Sequence, residues 1–121
     1  MTEQFIKIAI PSIAPGGLDA QTTPYFGRCD CFTIVELQNA LIKSVKVLEN
    51  PFHNATGGAG PGAVTLLSNE GVQEVIGADY GPNASNALNM AKIGKFGYPS
   101  DKSYLVKEMI TLYLGHKLPK R

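Results

Sequence analysis

The chain has 121 residues, with 11 basic and 10 acidic side chains, a formal net charge of +1, two cysteines and no tryptophan. This length accommodates one ordinary domain, and the balanced charge argues against a strongly basic nucleic-acid-binding protein. No apolar run approaches the ~20 residues that a membrane span needs, and two cysteines are too few for a disulfide framework. The N-terminus lacks the pattern of a secretory signal, so we expect a cytoplasmic protein with free thiols.

The first half of the chain predicts three strands. The run from Phe5 to Ile10 is rich in β-branched residues and ends at Pro11, which is typical of a buried strand. Residues 11–30 are rich in Gly and Pro and predict one long loop, of a length that is usually functional. Strands over residues 31–37 and 41–49 are separated by a short turn, which predicts an antiparallel hairpin.

Helices and strands alternate in the rest of the chain. A Gly-rich loop over 50–60 leads to Pro61, which suits the first position of a helix, and Gly71 ends that helix. We predict a strand over 72–78, a helix that opens at 81–83, a strand over 95–98 and a last helix that begins at 100–101 and ends at Gly115. Residues 116–121 are expected to form a flexible basic tail.

This order, β-ββ-α-β-α-β-α, predicts a single α/β domain over residues 1–121. Strands that alternate with helices imply parallel pairing through right-handed crossovers. Together with the hairpin, they predict a five-stranded mixed sheet between two layers of helices.

Three Gly- and Pro-rich loops follow strands whose carboxyl ends share one edge of the predicted sheet, where open α/β sheets bind ligands. Two of these loops open helices, whose free N–H groups favour an anion. Arg28 is the first arginine in a chain that otherwise relies on lysine until its last residue, and arginine suits bidentate anion contacts. The residues expected to bind a ligand are Arg28, Gly57, Gly58, Gly60, Gly62, Gly81 and Asn83.

Cys29 and Cys31 are separated by one residue, and an extended backbone would place both thiols on one side. Such a pair, with His53 as a third ligand, would suit zinc, copper(I) or an iron–sulfur fragment. The alternative is that Cys31, at the start of a strand, is a core residue. No catalytic set stands out, because the chain lacks both a nucleophile elbow and a phosphate-binding Walker lysine.

Several segments, taken in order, resemble the dinitrogenase iron–molybdenum cofactor biosynthesis family. They are Lys7 to Pro11, Leu18-Asp19, Tyr25 to Arg28, Glu49 to Pro51, Gly57 to Gly60, Gly71-Val72 with Val75-Ile76, Gly81 to Ala84 and Gly115 to Leu118. The resemblance covers nearly the whole chain. Tyr25 stands where many relatives have His, and the two cysteines are outside the family pattern.

The resemblance implies a ribonuclease H-like fold without nuclease activity. It also implies a non-catalytic carrier of an anionic metal–sulfur cluster, such as an iron–molybdenum cofactor or a related Mo, Fe or Cu species. A carrier implies a protein that donates the cluster or accepts it. An alternative from the residues alone is a protein or enzyme that binds a nucleotide or phosphorylated metabolite in the same crevice, because phosphate uses the same backbone amides.

Overall fold

The computed structural model describes residues 5–121, and over this range the elements follow the predicted order. The elements are β1 (Phe5–Ser12), β2 (Cys31–Gln38), β3 (Leu41–Glu49), α1 (Ala59–Asn69), β4 (Glu74–Gly77), α2 (Gly81–Met90), β5 (Gly94–Gly97) and α3 (Val106–Leu114).

The five strands form one mixed sheet in the order β3-β2-β1-β4-β5. β2 pairs antiparallel with both β1 and β3, whereas β4 pairs parallel with β1 and β5. The hairpin between β2 and β3 turns through Asn39 and Ala40, whose φ angles of 53° and 68° are those of a two-residue primed turn. As a result β1, β3, β4 and β5 all run in one direction, and their carboxyl ends lie at one edge of the sheet.

The helices cover the two faces of the sheet. One buried cluster lies under α1 and α2 and includes Phe32, Leu67 and Leu88. A second cluster lies under α3 and includes Ile10 and Met109. This confirms the predicted three-layer α/β fold with its five-stranded mixed sheet. Within residues 5–121, every helix is too short or too polar to cross a membrane.

Two helices begin elsewhere than predicted. α1 begins at Ala59, before Pro61, because Gly58 adopts a left-handed φ of 71° and starts the first turn earlier. α3 begins at Val106 and not at 100–101. There the Glu108 carboxylate accepts the Leu105 N–H at 2.7 Å. A side chain from the first turn of α3 thus provides the acceptor for the amide of its N-cap residue.

The C-terminal segment, expected to be a flexible tail, lies along the edge strand β5. The Gly97 N–H donates to the Pro119 carbonyl at 2.9 Å, and the Arg121 N–H donates to the Lys95 carbonyl at 2.8 Å. Phe96 and Lys120 form the bridge between these bonds. An edge strand exposes unpaired N–H and C=O groups, and here the last residues satisfy two of them.

Candidate ligand-binding site

A cavity of about 280 Å³ lies at the edge of the sheet where β1, β3 and β4 end. We call it the Arg28 crevice. It is lined by residues of the three predicted loops and of the helix starts that follow two of them: Gly27, Arg28, Gly57, Gly58, Ala59, Gly60, Pro61, Tyr80, Gly81, Pro82, Asn83 and Ala84. Of the arginine, glycines and asparagine predicted to bind an anion, only Gly62 does not line the crevice.

Glycine allows the three loops to meet this closely. A Cβ on Gly27 would lie 2.8 Å from the Gly60 nitrogen, and a Cβ on Gly60 would lie 2.9 Å from the Ala84 Cβ. Contacts this short do not occur between real side chains and backbone, so residue 27, the start of α1 and the start of α2 pack together only without those methyl groups.

Neither N-cap residue, Gly58 in α1 or Tyr80 in α2, makes a side-chain capping bond, and the Asp79 carboxylate accepts only the first amide of α2. The first-turn N–H groups of Ala59 and Gly60 in α1, and of Asn83 in α2, therefore remain available to an acceptor. Two of the predicted glycine amides are not available in this way. The Gly62 N–H donates to the Gly58 carbonyl at 3.0 Å, and the Gly81 N–H donates to the Asp79 carboxylate at 3.2 Å.

Gly62 packs against an aromatic ring and does not line the crevice. A Cβ at this position would lie 2.5 Å from Cζ of Phe52. Its role in the structure is to let the 50–57 loop fold down onto α1, so that it lies outside the crevice that holds the other predicted glycines.

Arg28 is exposed and is held from two sides by the 50–57 loop. Its Nε donates to the Ala55 carbonyl at 2.9 Å, and its own carbonyl accepts the His53 Nδ1–H at 2.9 Å. Within residues 5–121, no carboxylate lies within 4 Å of the guanidinium. Its two Nη groups are therefore available to an anion at the mouth of the crevice.

Asn50 is a positioning residue that the sequence analysis did not single out for the site. It is 5% exposed, and its Nδ2 donates to the Gly27 carbonyl at 2.9 Å and to the Cys29 carbonyl at 3.0 Å. Its Oδ1 accepts the Phe52 N–H at 3.1 Å. Asn50 thus joins the loop that carries Arg28 to the loop that leads into α1. The sequence pattern that could have indicated Asn50 is its position directly before Pro51, because Asn-Pro is typical of a turn held by the Asn side chain.

Cys29 lies in the hydrophobic core. It is 2% exposed and packs in the cluster under α1 and α2 that also contains Phe26 and Phe32. Burial and, to a smaller extent, the nearby Cys31 thiol together raise the pKa of the Cys29 thiol to about 12. In the metal-free protein the group is therefore a thiol at neutral pH, and a metal that bound it would have to displace this proton inside the core.

Cys31 and His53 line a different cavity, of about 530 Å³, together with Asp30 and Glu49. The Cys31 thiol donates to the Ser12 carbonyl at 3.6 Å, and burial raises its pKa. His53 Nδ1 lies 3.5 Å from the Asp30 carboxylate. Nδ1 carries the proton donated to the Arg28 carbonyl, so Nε2 is the ring nitrogen left to face other groups.

The predicted ligand set of Cys29, Cys31 and His53 is therefore split between the core and this second cavity. Across the described residues, 5–121, no three His, Cys, Asp or Glu side chains come together as a group that could hold a metal ion. The two thiols lie in separate environments because Cys29 precedes β2, and the alternation of side chains applies only within the strand.

Residues 7–114 match the family of the dinitrogenase iron-molybdenum cofactor. The chain belongs to this family. This confirms the resemblance carried by the ordered motifs, and the matched region includes all of the strands and helices except the first two residues of β1.

Other members and structural relatives agree with this assignment. An uncharacterised protein of Methanocaldococcus jannaschii is 31% identical over 117 residues, which is 97% of each chain. The apo form of the orange protein from Desulfovibrio gigas has a TM-score of 0.84 at 25% identity, over 95% of this chain and 92% of that chain. A candidate NifB protein from Thermotoga has a TM-score of 0.77 at 27% identity, with the same coverage. Together the family and these structures point to a cofactor-binding or carrier role.

Proposed function

We propose that the protein is a non-catalytic carrier of an anionic metal–sulfur cluster, bound in the Arg28 crevice. One observation carries the proposal: an arginine without a carboxylate partner and the starts of two helices, each with first-turn N–H groups that lack a side-chain acceptor, line a single cavity. The name of the family supports the same class of cargo.

The donors in the crevice suit such a cargo. Sulfide on a cluster accepts hydrogen bonds, and the amides of Ala59, Gly60 and Asn83 are the available donors. The positive ends of α1 and α2 and the guanidinium of Arg28 offset negative charge on the cluster. A site built from backbone amides and one arginine needs few charged side chains to bind an anion, and charged residues make up only 17% of the chain. A carrier with no turnover of its own exchanges its cargo with a donor or acceptor protein.

Reconstitution under anaerobic conditions tests the proposal. The purified protein is supplied with thiomolybdate and either iron or copper, desalted, and measured for bound metal and visible absorption. We expect the native chain to retain metal and Arg28→Gln to retain several-fold less. Lys92→Gln is the matched control, because it removes one positive charge from an exposed position outside the crevice. A native chain that retains no metal contradicts the proposal, as does equal retention by Arg28→Gln.

The cysteines form a separate arm of this experiment. If the thiols bind the metal directly, the double variant Cys29→Ser, Cys31→Ser retains less of it than the native chain. If metal stoichiometry is unchanged, retention rests on Arg28 and the backbone amides. The protonated, buried state of Cys29 leads us to expect the second result.

A further inference from the structure

A second cavity borders the Arg28 crevice and contains two positive charges. It has a volume of about 420 Å³ and shares Tyr80, Gly81 and Pro82 with the crevice, so that the start of α2 forms the wall between them. Its basic residues are Lys95 and Arg121. We call it the Lys95 cavity.

Lys95 is a buried cation without a counter-ion. The residue is only 9% exposed, and its Nζ donates to the Ser85 hydroxyl of α2 at 2.7 Å. In the described part of the chain, no carboxylate lies within 4 Å of this ammonium. Burial of an unpaired charge is costly, so a lysine held in this way favours an anion at the cavity that it faces.

Arg121 is brought to the same cavity by the pairing of the C-terminal segment with β5. Its backbone N–H is fixed on the Lys95 carbonyl at 2.8 Å. Its side chain lies across Gly97, where a Cβ would come within 1.9 Å of the arginine Nε. The guanidinium therefore lies directly on the strand backbone, in a space that only glycine at position 97 leaves open.

We propose that the Lys95 cavity binds a tetrahedral oxyanion, such as the phosphate group of a small molecule. Three kinds of donor surround it: a point-charge ammonium, a planar guanidinium and the hydroxyl of Ser85. Guanidinium presents a fork of N–H groups, ammonium adds a donor from another direction, and together they suit an anion with more than two oxygens. This is a different site from the Arg28 crevice.

One acidic side chain, Asp79, also lines the cavity. It is exposed, and its Oδ1 accepts the Gly81 N–H at 3.2 Å, which keeps it engaged with the start of α2. Among the side chains, the cavity therefore offers two cations against one carboxylate at its rim, and we expect moderate affinity that weakens as salt rises.

Titration with inorganic phosphate tests the site. The ¹⁵N-labelled protein is followed by NMR while phosphate replaces chloride at constant ionic strength. We expect saturable shifts at the amides of Ser85, Lys95 and Gly97. Lys95→Gln removes a charge-assisted hydrogen bond, so we expect at least about tenfold weaker binding. If Lys95→Gln does not fold, Arg121→Gln serves instead, because it removes the exposed guanidinium and keeps the backbone pairing.

Lys120→Gln is the matched control for Arg121→Gln. It removes one positive charge from the neighbouring residue, whose ammonium lies 5.9 Å from the centre of the Phe96 ring and outside the cavity. We expect it to bind phosphate within about twofold of the native chain. Equal weakening by both substitutions indicates non-specific attraction and overturns the site, as does the absence of saturable shifts.

Arg28→Gln separates this proposal from the proposed function. It leaves every residue of the Lys95 cavity in place, so phosphate binding there is expected to be unchanged. Phosphate binding that is lost in Arg28→Gln places the probe in the Arg28 crevice and overturns the second site only. Failure of metal retention, in contrast, contradicts the carrier function and leaves the Lys95 cavity unaffected.

Discussion

His53 donates a hydrogen bond from Nδ1 to the carbonyl oxygen of Arg28 at 2.9 Å. Because the guanidinium of Arg28 is itself bonded to Ala55, the 50–57 loop fixes both the backbone and the side chain of the arginine. This loop also leads into α1, whose first N–H groups line the same crevice. The charged group and the backbone donors are therefore positioned by one segment of the chain.

The contact between His53 and Arg28 predicts that His53 positions the arginine. His53→Ala removes one exposed hydrogen bond, so we expect the free energy of unfolding to fall by no more than about 1 kcal/mol, while metal retention falls several-fold. His53→Asn is the informative variant, because its side-chain amide still carries a donor close to the position of Nδ1. Recovered retention in His53→Asn supports positioning, whereas loss in both variants supports direct ligation. Asn54→Ala, at an exposed neighbour, is the control for loop substitutions.

Asn50 predicts a larger effect on stability. Asn50→Ala removes two donated bonds and one accepted bond at a buried position, and it leaves the carbonyls of Gly27 and Cys29 without their partner. We expect a loss of about 2–4 kcal/mol in the free energy of unfolding, measured by urea denaturation. Asn50→Asp should cost at least as much, because a carboxylate has no N–H to donate to the two carbonyls. A change below about 1 kcal/mol in both variants contradicts this role.

The close approach of the two helices predicts that Gly60→Ala disturbs the crevice. The new methyl group would lie 2.9 Å from the Ala84 Cβ, so α1 and α2 must move apart, at a cost of about 1–3 kcal/mol. We expect reduced metal retention and a lower melting temperature. Gly57→Ala is the matched control for the melting temperature only, since Gly57 lines the crevice but a Cβ there meets nothing within 4 Å and the backbone is not left-handed. An equal fall in melting temperature in the two variants would show that the close α1–α2 contact does not limit stability.

The parts of the fold that sequence patterns predicted are those set by local rules. The alternation of strands and helices predicted the order of the elements. Because open α/β sheets bind ligands beyond the carboxyl ends of their parallel strands, it also predicted that Arg28, Gly57 and Asn83 lie in one crevice. Other features depend on long-range partners. Asn50 has its role only because Gly27 and Cys29 come within reach, and Gly62 leaves the crevice only because Phe52 packs over it.

The C-terminal segment illustrates the same limit. Residues 119–121 are too few and too polar to predict a strand, and their pairing requires an edge strand that only the assembled sheet provides. Hydrogen exchange of the Gly97 amide therefore reports whether this segment is paired with β5. We expect its hydrogen exchange to be protected in the native chain and to accelerate on deletion of residues 118–121. Rapid exchange of Gly97 in the intact protein would show that the segment is not held on β5.

The buried Cys29 predicts how stability depends on pH. Its pKa is raised from an ordinary value of 9.0 to about 12, so above pH 9 the folded protein keeps a proton that the unfolded chain releases. The free energy of unfolding therefore falls as pH rises above about 9, by up to about 1.4 kcal/mol per pH unit for this thiol. Below pH 9 both states are protonated, and the thiol contributes no slope.

Urea unfolding of the metal-free protein between about pH 9 and pH 10 measures this slope before the tyrosines, whose ordinary pKa is 10.0, begin to dominate. Cys29→Ala shifts the stability by a constant amount and removes the part of the slope due to this thiol. Cys31, whose pKa is also raised by burial, contributes in both chains and cancels in the comparison. Equal slopes for the native chain and Cys29→Ala would mean that the thiol ionises as easily in the folded state as in the unfolded state. In that case Cys29 would be accessible as a thiolate, and the expectation that it plays no part in metal retention would have to be abandoned.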